Sequence, residues 1–420
     1  MRFVRVIDCP KENGGGGVGQ FISISLGFLL LFSAALPSGA LFGVPFKHAA
    51  YVATLVMITL AWWRGEMAIK SGLLVVLFLF CCYISFYVLI GSFQAVTPFP
   101  YVVKEASGMF TAVTVVLLAI VATDSGKVSY TTIVSYSFYG ALIFATWKVL
   151  VVLGLVLRVL SFDQVYDFIL NQAGYRIVSS GIFGGLVRIN LIIYDYLVVF
   201  FLIFMVVAPR CFSGISKVSK ISFFFVGLAC VVFAFSRLLF GLLFIGWFFS
   251  FVYNLKFRGK LIAIFAVLLV LVLSAEWLAG AFEQRFRSSG SAVSDDIRVE
   301  QIAALLDEWS DSPLIGKGFG AYSKNVIRDP SVPYSYEVQW VGFLAKLGSV
   351  GVLFLVFLLG YIYWIVLKSE RFKEHYILLL TLSMFVIGGF TNQYLVSSAS
   401  GVIYCLHIVC AEMIRQRRFV

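Results

Sequence analysis

GLLVVLFLFCCYISFYVLIG, residues 72–91, runs for twenty residues without a charge. A helix of about 20 apolar residues crosses the roughly 30 Å of hydrocarbon in a bilayer, so this stretch reads as a membrane span. Runs of the same kind begin near Gln20, His48, Gly108, Tyr130, Ile189, Ser219, Leu238, Lys260, Trp340, His375 and Tyr394, which makes twelve candidate spans. Composition agrees: 61% of the 420 residues are hydrophobic and 13% charged, against about 25% charged in a soluble domain. The 43 Phe and 20 Tyr suit lipid-facing and interfacial packing.

The formal net charge is +11, but its distribution matters more than its sum and does not point to nucleic acid. With both termini placed in the cytoplasm, short cytoplasmic loops and tails hold 18 of the 32 Lys and Arg. Positive charge favours the cytoplasmic side in short loops, which supports that placement and an even span count. Residues 1–19, charged and glycine-rich, read as a cytoplasmic tail ahead of the first span rather than a cleaved leader. Residues 1–420 form a single integral membrane domain. Two segments stand out on the outer side, 158–188 and the longer 280–339. The seven cysteines all lie in spans or in the N-terminal tail, so the outer segments carry no disulfide.

The longer segment contains DEWSDSPLIGKGFGAYSKN, residues 307–325. Its Gly316-Lys-Gly-Phe-Gly320 does not follow the phosphate-binding G-x-x-x-x-G-K-[ST] spacing, and an outer loop meets no nucleotide triphosphate. Glycines here permit positive φ and close approach. Successive N–H groups around Lys317 and Gly318 can form an anion nest, or the turn is purely structural. Upstream, Ser294-Asp-Asp296 looks like a helix start. Ile302, Leu305, Leu306 and Trp309 follow at helical spacing, and Pro313 ends the run. Arg298, four residues before Ile302, shares that face and needs an anion. The anion is either a ligand or a structural carboxylate from Asp295, Glu300 or Glu337. Glu337 opens the tenth span just after Tyr334 and Tyr336, as a functional carboxylate or as a helix-end charge. Arg237 sits at a span end on the outer side. Lys148 and Asp195 read as a buried structural pair. His48, His375 and His407 are scattered and suggest no metal site.

Together, Ser236-Arg237, Arg298 opening the loop helix, Pro313-Leu-Ile-Gly-Lys-Gly-Phe-Gly320, and Glu337 ahead of Lys346-Leu-Gly348-Ser-Val-Gly351 resemble the O-antigen polymerase and O-antigen ligase superfamily. The strongest likeness covers about residues 296–351. The resemblance implies an all-α polytopic membrane protein of GT-C-like architecture, with about twelve transmembrane helices and a large periplasmic loop carrying short helices. Ligases place a histidine where Glu337 stands, and that departure points to the polymerase branch.

The implied substrates, donor and acceptor alike, are oligosaccharides on undecaprenyl diphosphate at the outer face of the bacterial inner membrane. The implied activity is glycosyl transfer without metal or cofactor. Membrane lipids and a chain-length regulator protein are the further partners. Arg237 and Arg298 are then expected to stabilise the leaving diphosphate, with Arg176 and Arg188 assisting from the other outer segment. Glu337 is the expected base, and Tyr334, Tyr336, Lys317 and Gly318 are expected to contact substrate. Two alternatives remain: an O-antigen ligase, and a flippase for lipid-linked oligosaccharide. The halves show no internal repeat of the kind transporters carry, and the polar groups gather in outer loops, which favours an enzyme.

Overall fold

Hydrocarbon offers no partner to a peptide group, so apolar runs of this length fold as helices that satisfy their own backbone. The computed structural model describes residues 17–36, 44–94, 97–167, 181–182, 186–187, 189, 191–234, 236–254, 289–327, 329–330, 332–368 and 373–416. The described helices are α1 (Gly17–Ala35), α2 (Phe46–Trp63), α3 (Ser71–Phe93), α4 (Phe99–Asp124), α5 (Tyr130–Val156), the short α6 (Phe162–Asp167), α7 (Ile192–Val207), α8 (Lys217–Ala234), α9 (Arg237–Asn254), α10 (Ser289–Ser310), α11 (Gln339–Leu367), α12 (Lys373–Gly388) and α13 (Ser398–Gln416). A two-residue antiparallel pairing sets Gly181 opposite Val187 and Ile182 opposite Leu186.

Among the described residues, seven helices, α1, α3, α4, α5, α8, α11 and α13, are long and apolar enough to cross a membrane, and three shorter apolar helices fall within α7, α9 and α12. The protein is a polytopic membrane protein. Eleven of the twelve expected runs fall on described helices, and the one expected from Lys260 lies outside the described residues. Helices α7 and α13 form the centre, with Leu197, Phe200, Phe201, Val402, Leu406 and Cys410 fully enclosed. Around them α1 packs on α5 and α2, α13 on α4, and α9 on α7 and α12. The outer helices turn large apolar side chains such as Phe78 and Phe225 away from this core, as lipid-facing helices do.

Two helix starts differ from expectation. Helix α4 begins at Phe99, nine residues before Gly108. Pro100 in its first turn suits the fixed proline φ, so Lys104 and Glu105 are helical rather than in a loop. Helix α10 begins at Ser289, five residues before Ser294. It presents Arg298, Gln301 and Leu305 inward, while Ile302 and Leu306 are 36% and 40% exposed. The buried stripe is therefore shifted by one position from the expected apolar face.

One end of the bundle carries the start of α4, helix α10, residues 311–338, and the starts of α11 and α13; it is called the loop end here. At the opposite end Lys70 pairs with Asp124 at 2.6 Å, joining the entrance of α3 to the exit of α4. Between the ends, Lys148 on α5 and Asp195 on α7 lie 2.5 Å apart with both side chains fully buried. Asp195 also accepts from Leu191 N at 2.9 Å and from the Cys230 thiol. This is the structural pair expected from the sequence.

Candidate active site

The loop end is organised by a break in α11. Gly348 has φ 62° and ψ −177°, so the helix is interrupted within the run that follows Gln339. A break frees backbone groups that hydrocarbon cannot satisfy, and the 313–320 turn satisfies them. Ser349 N donates to Pro313 O at 2.9 Å and Val350 N to Leu314 O at 3.1 Å. In return Lys317 N donates to Ala345 O at 3.2 Å and Gly318 N to Lys346 O at 2.7 Å. Phe319 N reaches Tyr87 O on α3, and Gly320 N reaches Glu105 Oε2 on α4 at 2.7 Å. Gly316, Gly318 and Gly320 all have positive φ, as the sequence led one to expect. The turn is a plug that ties α3, α4 and α11 together.

That geometry corrects the expectation for Lys317 and Gly318. Their N–H groups are engaged by protein carbonyls, so no anion nest forms there. The Lys317 ammonium pairs with Glu308 and, at 2.8 Å, with Asp311. Burial works against its charge, but the two carboxylates outweigh it and hold its pKa above the usual lysine range.

Arg298 and Glu337 meet. Arg298 Nε donates to Glu337 Oε2 at 2.8 Å, with side chains 28% and 16% exposed. Of the three carboxylates named for Arg298, Glu337 is one that it meets. One turn along α10, fully buried Gln301 accepts from Glu337 N at 3.0 Å. Arg298 and Gln301, three residues apart and so on one helix face, thereby fasten α10 to the entrance of α11. Glu337 is not a helix cap: α11 begins at Gln339, and the preceding Val338 makes no side-chain capping bond.

Beside this pair, Tyr334 and Tyr336 are buried. The Tyr336 hydroxyl accepts from Ser323 N at 2.7 Å. Burial pushes its pKa up to about 12, so the phenol stays neutral near pH 7. The Lys346 ammonium stands 5.6 Å from the Tyr334 ring centre and 5.5 Å from that of Tyr336. It donates to Tyr334 O at 2.6 Å and to Glu105 Oε1. Glu105 was not foreseen as part of a site, because placing the fourth span at Gly108 left it in a loop. The signal available was its acidic side chain three residues before a glycine in an otherwise apolar helix.

Arg237 is the first residue of α9, and its side chain lies outside the described residues. The next residue, Leu238, lies beside Gly388 at the end of α12, where an added Cβ would stand 3.3 Å from its Cδ2, and Trp340 N donates to Gly389 O at 3.4 Å. The backbone of Arg237 is thus at the same end of the bundle as Glu337. Arg176 and Arg188 lie outside the described residues. Among the described residues, no three His, Cys, Asp or Glu side chains gather as a metal site would need.

These features define a polytopic membrane protein with an ion-paired polar centre, built where a loop helix and a glycine turn dock on broken helix α11. Residues 221–356 match the family model described as O-antigen ligase, Wzy_C. The matched segment includes Arg237, Arg298, the glycine turn and Glu337, and it supports the O-antigen polymerase and ligase superfamily, whose members are glycosyl-transferring enzymes. No curated protein matches the chain.

Proposed function

We propose that the protein polymerises undecaprenyl-diphosphate-linked oligosaccharide repeats into O-antigen, or a related surface polysaccharide, at the periplasmic face of the inner membrane. The observation that carries this reading is the Arg298–Glu337 contact, which sets a phosphate-binding group against a proton acceptor within the segment that matches the family. In the reaction an acceptor hydroxyl attacks the anomeric carbon of the donor sugar. The bond from that carbon to the diphosphate oxygen breaks, and the diphosphate leaves with the electron pair. The hydroxyl proton passes to Glu337. The incoming diphosphate competes with Glu337 for the Arg298 guanidinium, whose planar fork matches phosphate oxygens. That competition neutralises the leaving group and releases the carboxylate as a base in one movement. Arg237, with Arg176 and Arg188 from the other segment expected on the outer side, supplies further positive charge. No divalent ion takes part in this scheme, and a chain-length regulator protein is the partner expected of a polymerase.

A ligase is the second reading, favoured by the description of the matching family model. Glutamate at 337, where ligases carry histidine, favours the polymerase. Purified protein supplied with lipid-linked repeat alone is expected to make a ladder of chain lengths. Glu337→Gln should reach the membrane at the parent level, bind donor, and make chains about 10²–10⁴-fold more slowly. A Gln variant within a few-fold of the parent would remove Glu337 as the base. A parent that joins polymer to lipid A core, but never repeat to repeat, would move the protein to the ligase branch.

A further inference from the structure

A cavity of about 200 Å³ opens at the loop end between α4 and α11, and its lining residues include Tyr336 and Gln339, on either side of Glu337 in the chain, but neither Glu337 nor Arg298. That volume is the liquid share of about six or seven waters, suited to one sugar ring rather than a chain. Its walls combine the chemistries a pyranose needs. Tyr334 and Tyr336 give aromatic surface, Glu105 gives a carboxylate, Lys104 and Lys346 give ammonium groups, and Gln393 gives an amide.

Those groups are held before a ligand arrives. Glu105 is clamped between Lys346 Nζ and Gly320 N, yet each carboxylate oxygen has a second lone pair. Lys346 is 4% exposed and has three donors. Two of them go to Glu105 and Tyr334 O, and among the described residues no acceptor takes the third. Gln393 is fixed by the Ser335 hydroxyl, which donates to its Oε1.

The second observation concerns two glycines in helical segments. Gly108 on α4 and Gly342 on α11 both line the cavity. A Cβ on Gly108 would find its nearest neighbour, the Val396 carbonyl oxygen, at 3.5 Å, and one on Gly342 would meet Tyr336 Cδ2 at 3.8 Å. Neither glycine is therefore demanded by packing, unlike Gly91 and Gly401, whose Cβ atoms would run into backbone. Glycine within a helix is disfavoured relative to alanine, and protein interiors are otherwise close-packed. What these two glycines achieve is an open cavity between α4 and α11.

We propose that this cavity is a saccharide subsite that takes one pyranose ring of the glycan, with Glu105 and Lys346 bonding its hydroxyls and the tyrosines lying against its C–H surface. The proposal deepens the glycan-transfer reading above and rests on it for the source of the sugar. Its wall includes Tyr336, which directly precedes Glu337 in the chain.

The test is saturation-transfer NMR on the full chain in lipid nanodiscs. The probes are methyl glycosides of glucose, galactose, N-acetylglucosamine and glucuronic acid. At least one glycoside should receive saturation from the parent. Gly108→Met and Gly342→Met fill the cavity from opposite walls and should abolish that signal, with membrane level and melting temperature kept. Gly108→Ala, which adds one methyl group, should weaken it only partly. The proposal is overturned if no glycoside in the panel signals with the parent, or if a folded Met variant signals as strongly as the parent. Chain synthesis is measured in parallel. If the parent binds a glycoside but makes no ladder, the polymerase reading fails and the subsite stands. If it makes a ladder that the Met variants reproduce with unchanged KM for the repeat, the subsite fails and the polymerase stands.

Discussion

Arg298 and Glu337 neutralise each other in a partly buried contact, and removing either takes an opposite charge away from the other. This separates two kinds of substitution. Arg298→Ala removes the proposed phosphate ligand and also the guanidinium that donates to Glu337, so both protein level and activity should fall. Arg298→Lys keeps the charge, and with it most of the pair's stability, but lacks the planar fork that meets two phosphate oxygens at once. It should therefore accumulate near the parent level while chain synthesis falls at least about tenfold, the effect of losing roughly 1.4 kcal/mol of transition-state stabilisation. Immunoblotting of membranes beside gel analysis of the polymer measures both quantities. If Lys restores full chain synthesis, the arginine is a charge partner for Glu337 and not a diphosphate ligand. The Lys148–Asp195 pair is the contrast, since both of its side chains are fully enclosed between α5 and α7.

At the scale of elements, the glycine turn and α11 depend on each other. A Cβ at Gly318 would stand 2.1 Å from Gly91 N and 2.5 Å from Gly91 Cα on α3, at a φ of +84°. Alanine there carries the left-handed strain of about 1–2 kcal/mol, and the collision with backbone adds to it. Gly318→Ala should lift the turn off α3 and leave the carbonyls of Ala345 and Lys346 without donors. The measurement is thermal melting of the purified protein, and the expected result is a lowered midpoint together with weaker chain synthesis. An unchanged midpoint would show that the turn is not anchored on α3. Much of this architecture was legible in the sequence, including the apolar runs, the glycine turn and the loop helix ending before Pro313, because each is written in local pattern. The rest was not local. Lys104 and Glu105 looked like a loop because charge usually marks a span boundary, and it is the partners of Glu105, Gly320 and Lys346, that explain a carboxylate inside α4. Ile302 suggested the buried face of α10, whereas polar Gln301 takes that place because it meets the backbone of Glu337. No periodicity encodes a contact between residues 39 positions apart.

For the whole molecule, the decisive question is which side of the membrane the loop end faces, because the proposed chemistry needs lipid-linked glycan and not nucleotide. The alternation of helix directions puts α10, the glycine turn and the entrance of α11 together at one end, and the Lys70–Asp124 pair at the other. The short connections at that second end are rich in Lys and Arg, at Arg64, Lys70, Lys127, Arg210, Lys217 and Lys220. By the positive-inside rule that end is expected to face the cytoplasm, which is the basis for proposing that the loop end is periplasmic. Lys324 lies on the exposed surface of the loop, whereas Lys217 is an exposed residue at the start of α8 on the opposite side. In a variant with all seven cysteines replaced, Lys324→Cys should react with a membrane-impermeant maleimide in intact spheroplasts. Lys217→Cys should react only after lysis. The reverse pattern would turn the molecule over, place the Arg298–Glu337 centre in the cytoplasm, and remove the basis for polymerisation at the periplasmic face. Labelling of both in intact cells would mean that the two ends are not separated by a bilayer, against the reading of the seven long apolar helices as spans.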